Sequence, residues 1–368
     1  METAKKRLQF VDMAKGIAAI CIVFSHILAP TAFSSVVTGI TSGALFLFFV
    51  LSGYFYTPGK RSLKANIAGK AKALLIPFFG YSLSFWAVGT IYYLIVGTVP
   101  FIETLYCLRN FYVGCIWNRT IQDWFSLEYY SLGKRYIFLA DFWFLLALLF
   151  AYILFLIIAD KVLRSKVKES VAIVVLLTVT GVLRSFQISL PYNLQLVPFW
   201  TALLLFGAIM KERDLYNLPF MKGIKAWFIS IGSAAIGVTV LTITGFGTNV
   251  FRGTFDWIEP ITMVILFVCS ILVVWGFGSF CKLWEETGAR ITEIAWLGSH
   301  SLYIYLFHMF YAWLISTITG FSILYKDEIT AQTVVISVLI ALASLALCIL
   351  TGIIADIISG KVRKQTKK

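Results

Sequence analysis

The chain has 368 residues, of which 60% are hydrophobic and only 13% charged, against about 25% charged in a typical soluble domain. Mean hydropathy is +0.87. These figures exclude a soluble globular enzyme, and they exclude a disordered chain, which needs low hydrophobicity. The apolar runs are continuous and of helix length, unlike the alternating strands of a transmembrane barrel. The fold class is therefore all-α: a polytopic membrane protein that meets a lipid bilayer, with aromatics at 16% suited to interfacial belts.

Ten apolar runs are long enough to cross a bilayer. They cover roughly residues 14–30, 41–57, 73–97, 139–159, 169–188, 194–211, 226–246, 257–277, 293–318 and 332–358. With the N-terminus in the cytoplasm, 24 of the 31 basic residues fall on the inner side. The outer seven are Arg109, Arg119, Lys134, Arg135, Arg184, Arg252 and Lys326. Basic residues concentrate in cytoplasmic loops, so the asymmetry supports ten transmembrane helices with both termini cytoplasmic. It also accounts for the net charge of +13 without nucleic acid. A competing reading takes Lys5–Arg7, the first apolar run and Ala29-Pro30-Thr31-Ala32 as a signal peptide. Cleavage there would leave the later spans oriented the same way.

No separate soluble domain is expected; residues 1–368 read as one integral-membrane domain. The longest extramembrane piece is an outer loop at about 98–138, rich in aromatics between Tyr106 and Phe125. It contains Cys107 and Cys115, for which a disulfide and two separate thiols are both open. It also contains Asn118-Arg119-Thr120, a sequon-like triplet of low specificity. No Cys-x-x-Cys pair or Cys/His cluster points to a metal, and no internal repeat is apparent.

Ionisable groups at bilayer depth are costly and mark function by default. All three histidines, His26, His300 and His308, fall in expected spans. His26 follows Lys15 by eleven residues, about 20° beyond three full turns and about 16 Å along a helix, so both share one face. Asp12, one turn before Lys15, is placed to pair with it. In the ninth span His308 lies at a depth similar to His26, and Ser301 precedes it by seven residues on nearly the same face. Two histidines at one depth on two helices can share a buried polar site, and an imidazole serves as general base near neutral pH. The plainer alternative is that each histidine only bonds a neighbouring helix, and that Lys15 anchors at the interface.

Four segments occur in order along the chain: Asp12-Met-Ala-Lys15-Gly16 with His26 after it, Leu47-Phe-Phe-Val-Leu-Ser-Gly-Tyr-Phe55, Lys72-Ala-Leu-Leu-Ile-Pro77, and Trp296-Leu-Gly-Ser-His-Ser-Leu-Tyr-Ile-Tyr-Leu-Phe-His308. Together they resemble the integral-membrane acyltransferase 3 family, and the first is similar to its fucose 4-O-acetylase and polysaccharide O-acetyltransferase branch. Many members carry Arg where Lys15 stands, and lysine lacks the bidentate fork of arginine.

The resemblance implies acyl transfer, usually from acetyl-CoA, to a hydroxyl of a cell-surface glycan or lipid-linked saccharide at the cytoplasmic membrane. It implies catalytic roles for His26, Lys15 and His308, with Asp12 and Ser301 near substrate. Lys15, Lys60, Arg61 and Lys72 would face the CoA phosphates; orientation alone also explains the last three. The rival function is a transporter or flippase for a polysaccharide or lipid-linked glycan, which would also use buried polar groups. Many transporters show paired halves with matching broken helices, and no such symmetry is visible in the sequence.

Overall fold

The computed structural model describes residues 8–28, 34–97, 100–117, 142–186, 188, 190–244, 259–289, 291–320 and 330–358. The sequon, the outer loop from residue 118 to 141 and the Ala29–Ala32 cleavage signature lie outside them. Among the described residues there are helices and no strands. We number the helices α1 (Gln9–Leu28), α2 (Ser34–Tyr54), α3 (Leu63–Val96), α4 (Phe101–Trp117), α5 (Trp143–Val162), α6 (Lys166–Ser185), α7 (Val197–Glu212), α8 (Gly223–Thr244), α9 (Glu259–Glu286), α10 (Thr292–Ser299), α11 (Ser301–Thr319) and α12 (Ala331–Ile358). A short 3-10 turn, Pro191–Leu196, leads into α7.

Local chemistry sets several boundaries. Ser62 caps α3 by accepting from the Ala65 amide at 3.3 Å, and Gly97 ends it with φ 69°, a conformation open to glycine at little cost. Ser165 caps α6. The Glu285 carboxylate accepts from the Phe10 amide at 3.3 Å, placing an anion on the positive end of α1.

Among the described residues eight helices are long and apolar enough to cross a membrane: Gln9–Leu28, Leu63–Val96, Trp143–Val162, Leu194–Glu212, Gly223–Ile243, Pro260–Glu286, Ser301–Thr319 and Ala331–Ile358. The protein is thus a multi-pass helical membrane protein, and each of the eight coincides with an expected span. The two remaining expected spans are also helical. In the second, Gly39–Tyr54 is apolar but shorter. In the fifth, α6 carries Lys168, Glu169 and Arg184. Two expectations change. The ninth span is not one helix from 293 to 318: it breaks at His300, which ends α10 and starts α11. The outer loop begins with a helix, α4, in which Cys107 is buried.

The chain divides into two units. The first comprises Met1–Phe48, Tyr216–Thr248 and Cys269–Lys368, and the second Phe49–Leu215 and Asn249–Val268. In the first unit α1 packs on α10, α11 and α12, and α11 packs on α12. Their shared core is Ala19, Val23, Ile27, Ile304, Ala312, Ile340, Ala341 and Cys348. Lipid tails are as apolar as such side chains, so cohesion here rests on close packing rather than on escape from water. In the second unit α5 and α6 pack on α7, and α3 on α5. The end of α2 approaches α7 so closely that a Cβ on Gly53 would overlap the Leu204 carbonyl, and one on Gly207 would overlap that of Val50.

Candidate active site

The first unit positions the site through two parallel, in-register segments. α1 and α10 meet backbone to backbone: a Cβ on Gly16 would overlap the Ile294 carbonyl, and a Cβ on Gly298 the Asp12 carbonyl. Small residues permit this approach in membrane helices. Further along the same pair of segments, His26 on α1 meets His308 on α11. His26 Nδ1 lies 2.9 Å from His308 Nε2, with ring centroids 5.0 Å apart. His308 is 1% exposed, and His26 is half-buried.

The hydrogen-bond partners fix the tautomers. His308 Nδ1 faces the Ile304 carbonyl at 3.0 Å and the Tyr305 carbonyl at 2.7 Å. Carbonyl oxygens only accept, so Nδ1 carries the hydrogen and donates it. In the neutral ring Nε2 then holds a lone pair. That lone pair accepts the Nδ1–H of His26. His26 Nε2 is left as the nitrogen with the lone pair, the form a general base requires. Should Nε2 take a proton, the resulting imidazolium still donates through Nδ1 to a neutral, buried acceptor. A third group contributes: Cys348 Sγ donates to the Ile304 carbonyl at 3.9 Å, so α12 touches the oxygen that orients His308.

The other expected residues are arranged along the same helices, away from the histidine contact. Lys15 pairs with Asp12 at 3.7 Å, with Asp12 the more buried of the two. α1 is continuous from Gln9 to Leu28, so Lys15 stands about 16 Å from His26 along the axis. Ser301 is half-buried in the first turn of α11, about 10 Å of helix rise from His308, and it does not join the histidine pair.

Lys60, Arg61 and Lys72 belong to the second unit and are exposed. Lys60 and Arg61 sit in the turn between α2 and α3. The base of that turn is tied down: Lys211 Nζ donates to the Tyr56 carbonyl at 2.7 Å and to Thr57 Oγ1 at 2.9 Å. The Tyr56 hydroxyl donates to Asp160 Oδ1 at 2.7 Å. Lys70, beside them, rests its ammonium 4.5 Å from the centre of the Tyr152 ring.

Asp356 was missed by the sequence reasoning. It lies on α12, and its Oδ2 is 2.9 Å from His300 Nε2. The signal was available, because Asp356 is the sole carboxylate of the expected 332–358 span and intramembrane carboxylates stand out. Among the described residues no cluster of three or more His, Cys, Asp or Glu is arranged to hold a metal.

No curated protein and no solved structure matches the chain. A family model described as an acyltransferase domain, that of acyltransferase 3, matches residues 8–353. The matched stretch contains α1 with Lys15 and His26, α11 with His308, and nearly all of α12. The chain belongs to the acyltransferase 3 family.

Proposed function

We propose that this membrane acyltransferase moves an acetyl group from cytoplasmic acetyl-CoA to a hydroxyl of a cell-surface or lipid-linked glycan, in the manner of the polysaccharide O-acetyltransferase branch. His26 Nε2 removes the proton of the acceptor hydroxyl as its oxygen attacks the thioester carbonyl. The carbon–sulfur bond breaks, and the His26 proton passes to the departing CoA thiolate. Atoms and charge balance without a buried acyl-imidazole, which favours the base role over nucleophilic catalysis.

The observation that carries this reading is the 2.9 Å contact between His26 Nδ1 and His308 Nε2. A histidine that backs another through its far nitrogen holds it in one tautomer and stabilises the imidazolium that forms, the role a carboxylate plays in hydrolase triads. Lys15 lies at the far end of the same helix face. We assign it to the phosphate groups of CoA at the cytoplasmic surface, with the extended pantetheine arm running along α1 to His26. Asp12 holds Lys15 in place. Lys60, Arg61 and Lys72 form a basic stretch of the second unit whose charge suits phosphate groups, and Ser301 is assigned to the acceptor.

The test uses the purified protein in nanodiscs with acetyl-labelled acetyl-CoA and a surface-glycan extract. Glycan-dependent release of free CoA that disappears in His26→Ala supports the reading. A well-folded wild type that neither binds nor turns over acyl-CoA overturns it and makes a translocation path for the glycan the leading function.

A further inference from the structure

His300 is a buried titratable group that the proposed chemistry leaves unused, and it stands at the break between α10 and α11. Its backbone joins the two helices. The His300 amide donates to the Leu297 carbonyl at 2.9 Å, and its carbonyl accepts from Tyr303 at 2.9 Å and Ile304 at 3.2 Å.

Its side chain joins a third helix. Nδ1 lies 2.9 Å from the Trp296 carbonyl and 2.8 Å from Ser299 Oγ. The Ser299 hydroxyl proton is itself directed to the Trp296 carbonyl at 2.7 Å, so both partners of Nδ1 act as acceptors. Nε2 faces Asp356 Oδ2 at 2.9 Å. Both ring nitrogens thus point at acceptors, the bonding pattern of an imidazolium paired with a carboxylate. The pair is enclosed: the Trp296 ring lies over the imidazole at 4.2 Å. A Cβ on Gly352 would come within 3.2 Å of that indole and 3.3 Å of the imidazole.

The position matters for the register of the active site. α1 is gripped by α10 at Gly16 and Gly298, whereas His308 is carried by α11. Any hinge motion at residue 300 changes the His26–His308 separation, and a hydrogen bond weakens steeply once its distance or angle departs from the optimum. α12 fastens the far side of the joint through Asp356. It follows α11 onward through Cys348 at the Ile304 carbonyl and Thr351, whose Oγ1 is 2.5 Å from the Tyr311 hydroxyl.

We infer that the His300–Asp356 pair is a positioning device that clamps the α10–α11 break and so keeps His308 in hydrogen-bond register with His26. For catalysis this rests on the reading of His26 as the base. The geometric part stands apart from it.

The chain contains three histidines, so ¹⁵N-histidine labelling of the full-length protein in nanodiscs resolves each ring. In Asp356→Asn the signals of His26 and His308 are expected to lose their single-tautomer pattern along with those of His300. The turnover number for CoA release is expected to fall at least about tenfold, since small misplacements of reacting groups have large effects. KM for acetyl-CoA should stay within about twofold, because binding of the donor is not at issue. A folded Asp356→Asn in which only His300 changes, with His26, His308 and turnover as in wild type, overturns the proposal and leaves the pair a structural tie. If Asp356→Asn does not fold, Asp356→Glu carries the same two outcomes, since it keeps the charge and moves the carboxylate by one methylene. A wild type without any turnover would sink the acyltransferase reading, while the ring signals would still judge the positioning.

Discussion

Gly16 and Gly298 hold α1 and α10 at backbone contact, and each is followed after ten residues by a histidine of the pair. Gly16 to Gly298 and His26 to His308 are both separations of 282 positions. The two segments therefore run parallel and in register, so the glycine contact sets where the histidines meet.

The first prediction follows from that contact. Gly298→Ala places a methyl on the Asp12 carbonyl, and backbone cannot give way as a flexible side chain can. Overpacking of this kind costs about 1–3 kcal/mol, and here it also pries α1 from α10. We expect a lower melting temperature in nanodiscs together with a loss of CoA release. Gly80→Ala on α3 is the control. Nothing lies within 4 Å of its added Cβ, so the melting temperature should hold or rise. Equal responses at the two sites would contradict the argument.

The second prediction concerns His308. In the proposed mechanism it acts through His26, so its loss should lower turnover far more than it weakens donor binding. His308→Ala removes the acceptor for His26 Nδ1 and would let the proposed base drift between tautomers. Loss of the orienting group in a hydrolase triad lowers kcat on the order of 10⁴, and an effect of about 10²–10⁴ is expected here. Steady-state kinetics of CoA release decides it. A large rise in KM at unchanged kcat would assign His308 to substrate binding instead.

Much of this site was legible in the sequence, for a definite reason. A helix converts residue number into depth and angle, so Lys15 and His26 fall on one face, and His308 at a similar depth, by arithmetic alone. The break at His300 was not legible, because Trp296–His308 has no proline and no glycine at the joint itself. The side chain at that break is paired with α12, and a carboxylate 56 positions away leaves no local trace. Ser301 shares a face with His308, but two turns of helix separate them, so it stands apart from the histidine contact.

Lys15 offers a third prediction. If it meets the CoA phosphates, Lys15→Ala should raise KM for acetyl-CoA with kcat little changed. A hydrogen bond to a charged group contributes about 1.5–3 kcal/mol, so a rise of about ten- to a hundredfold is expected. Lys15→Arg should recover most of the affinity, because the charge remains. Isothermal binding of CoA to the two variants reads this directly. Unchanged affinity in Lys15→Ala would reduce Lys15 to an anchor at the interface.

The last prediction lies in the second unit and concerns an asymmetric ion pair. Glu169 on α6 bonds Arg213, which follows α7. Glu169 has 3% side-chain exposure against 36% for Arg213. The glutamate also serves the backbone, because its Oε1 accepts from the Arg164 amide at 3.1 Å. Arg164 is held at φ 77°, a left-handed conformation that an ordinary side chain adopts at some cost. Arg213→Ala removes an interaction that water partly replaces. Glu169→Ala removes the same interaction and also the buried acceptor that holds the strained turn between α5 and α6. The Arg164 amide is only part-buried, so losing its acceptor costs at most about 1–3 kcal/mol, and Glu169→Ala should melt at a lower temperature than Arg213→Ala. Glu169→Gln should fall between them, since its amide oxygen can still accept from Arg164. Thermal melts of the three variants in one nanodisc preparation check the order. An Arg213→Ala variant as unstable as Glu169→Ala would show that the charge pairing, and not the turn, is what α6 depends on.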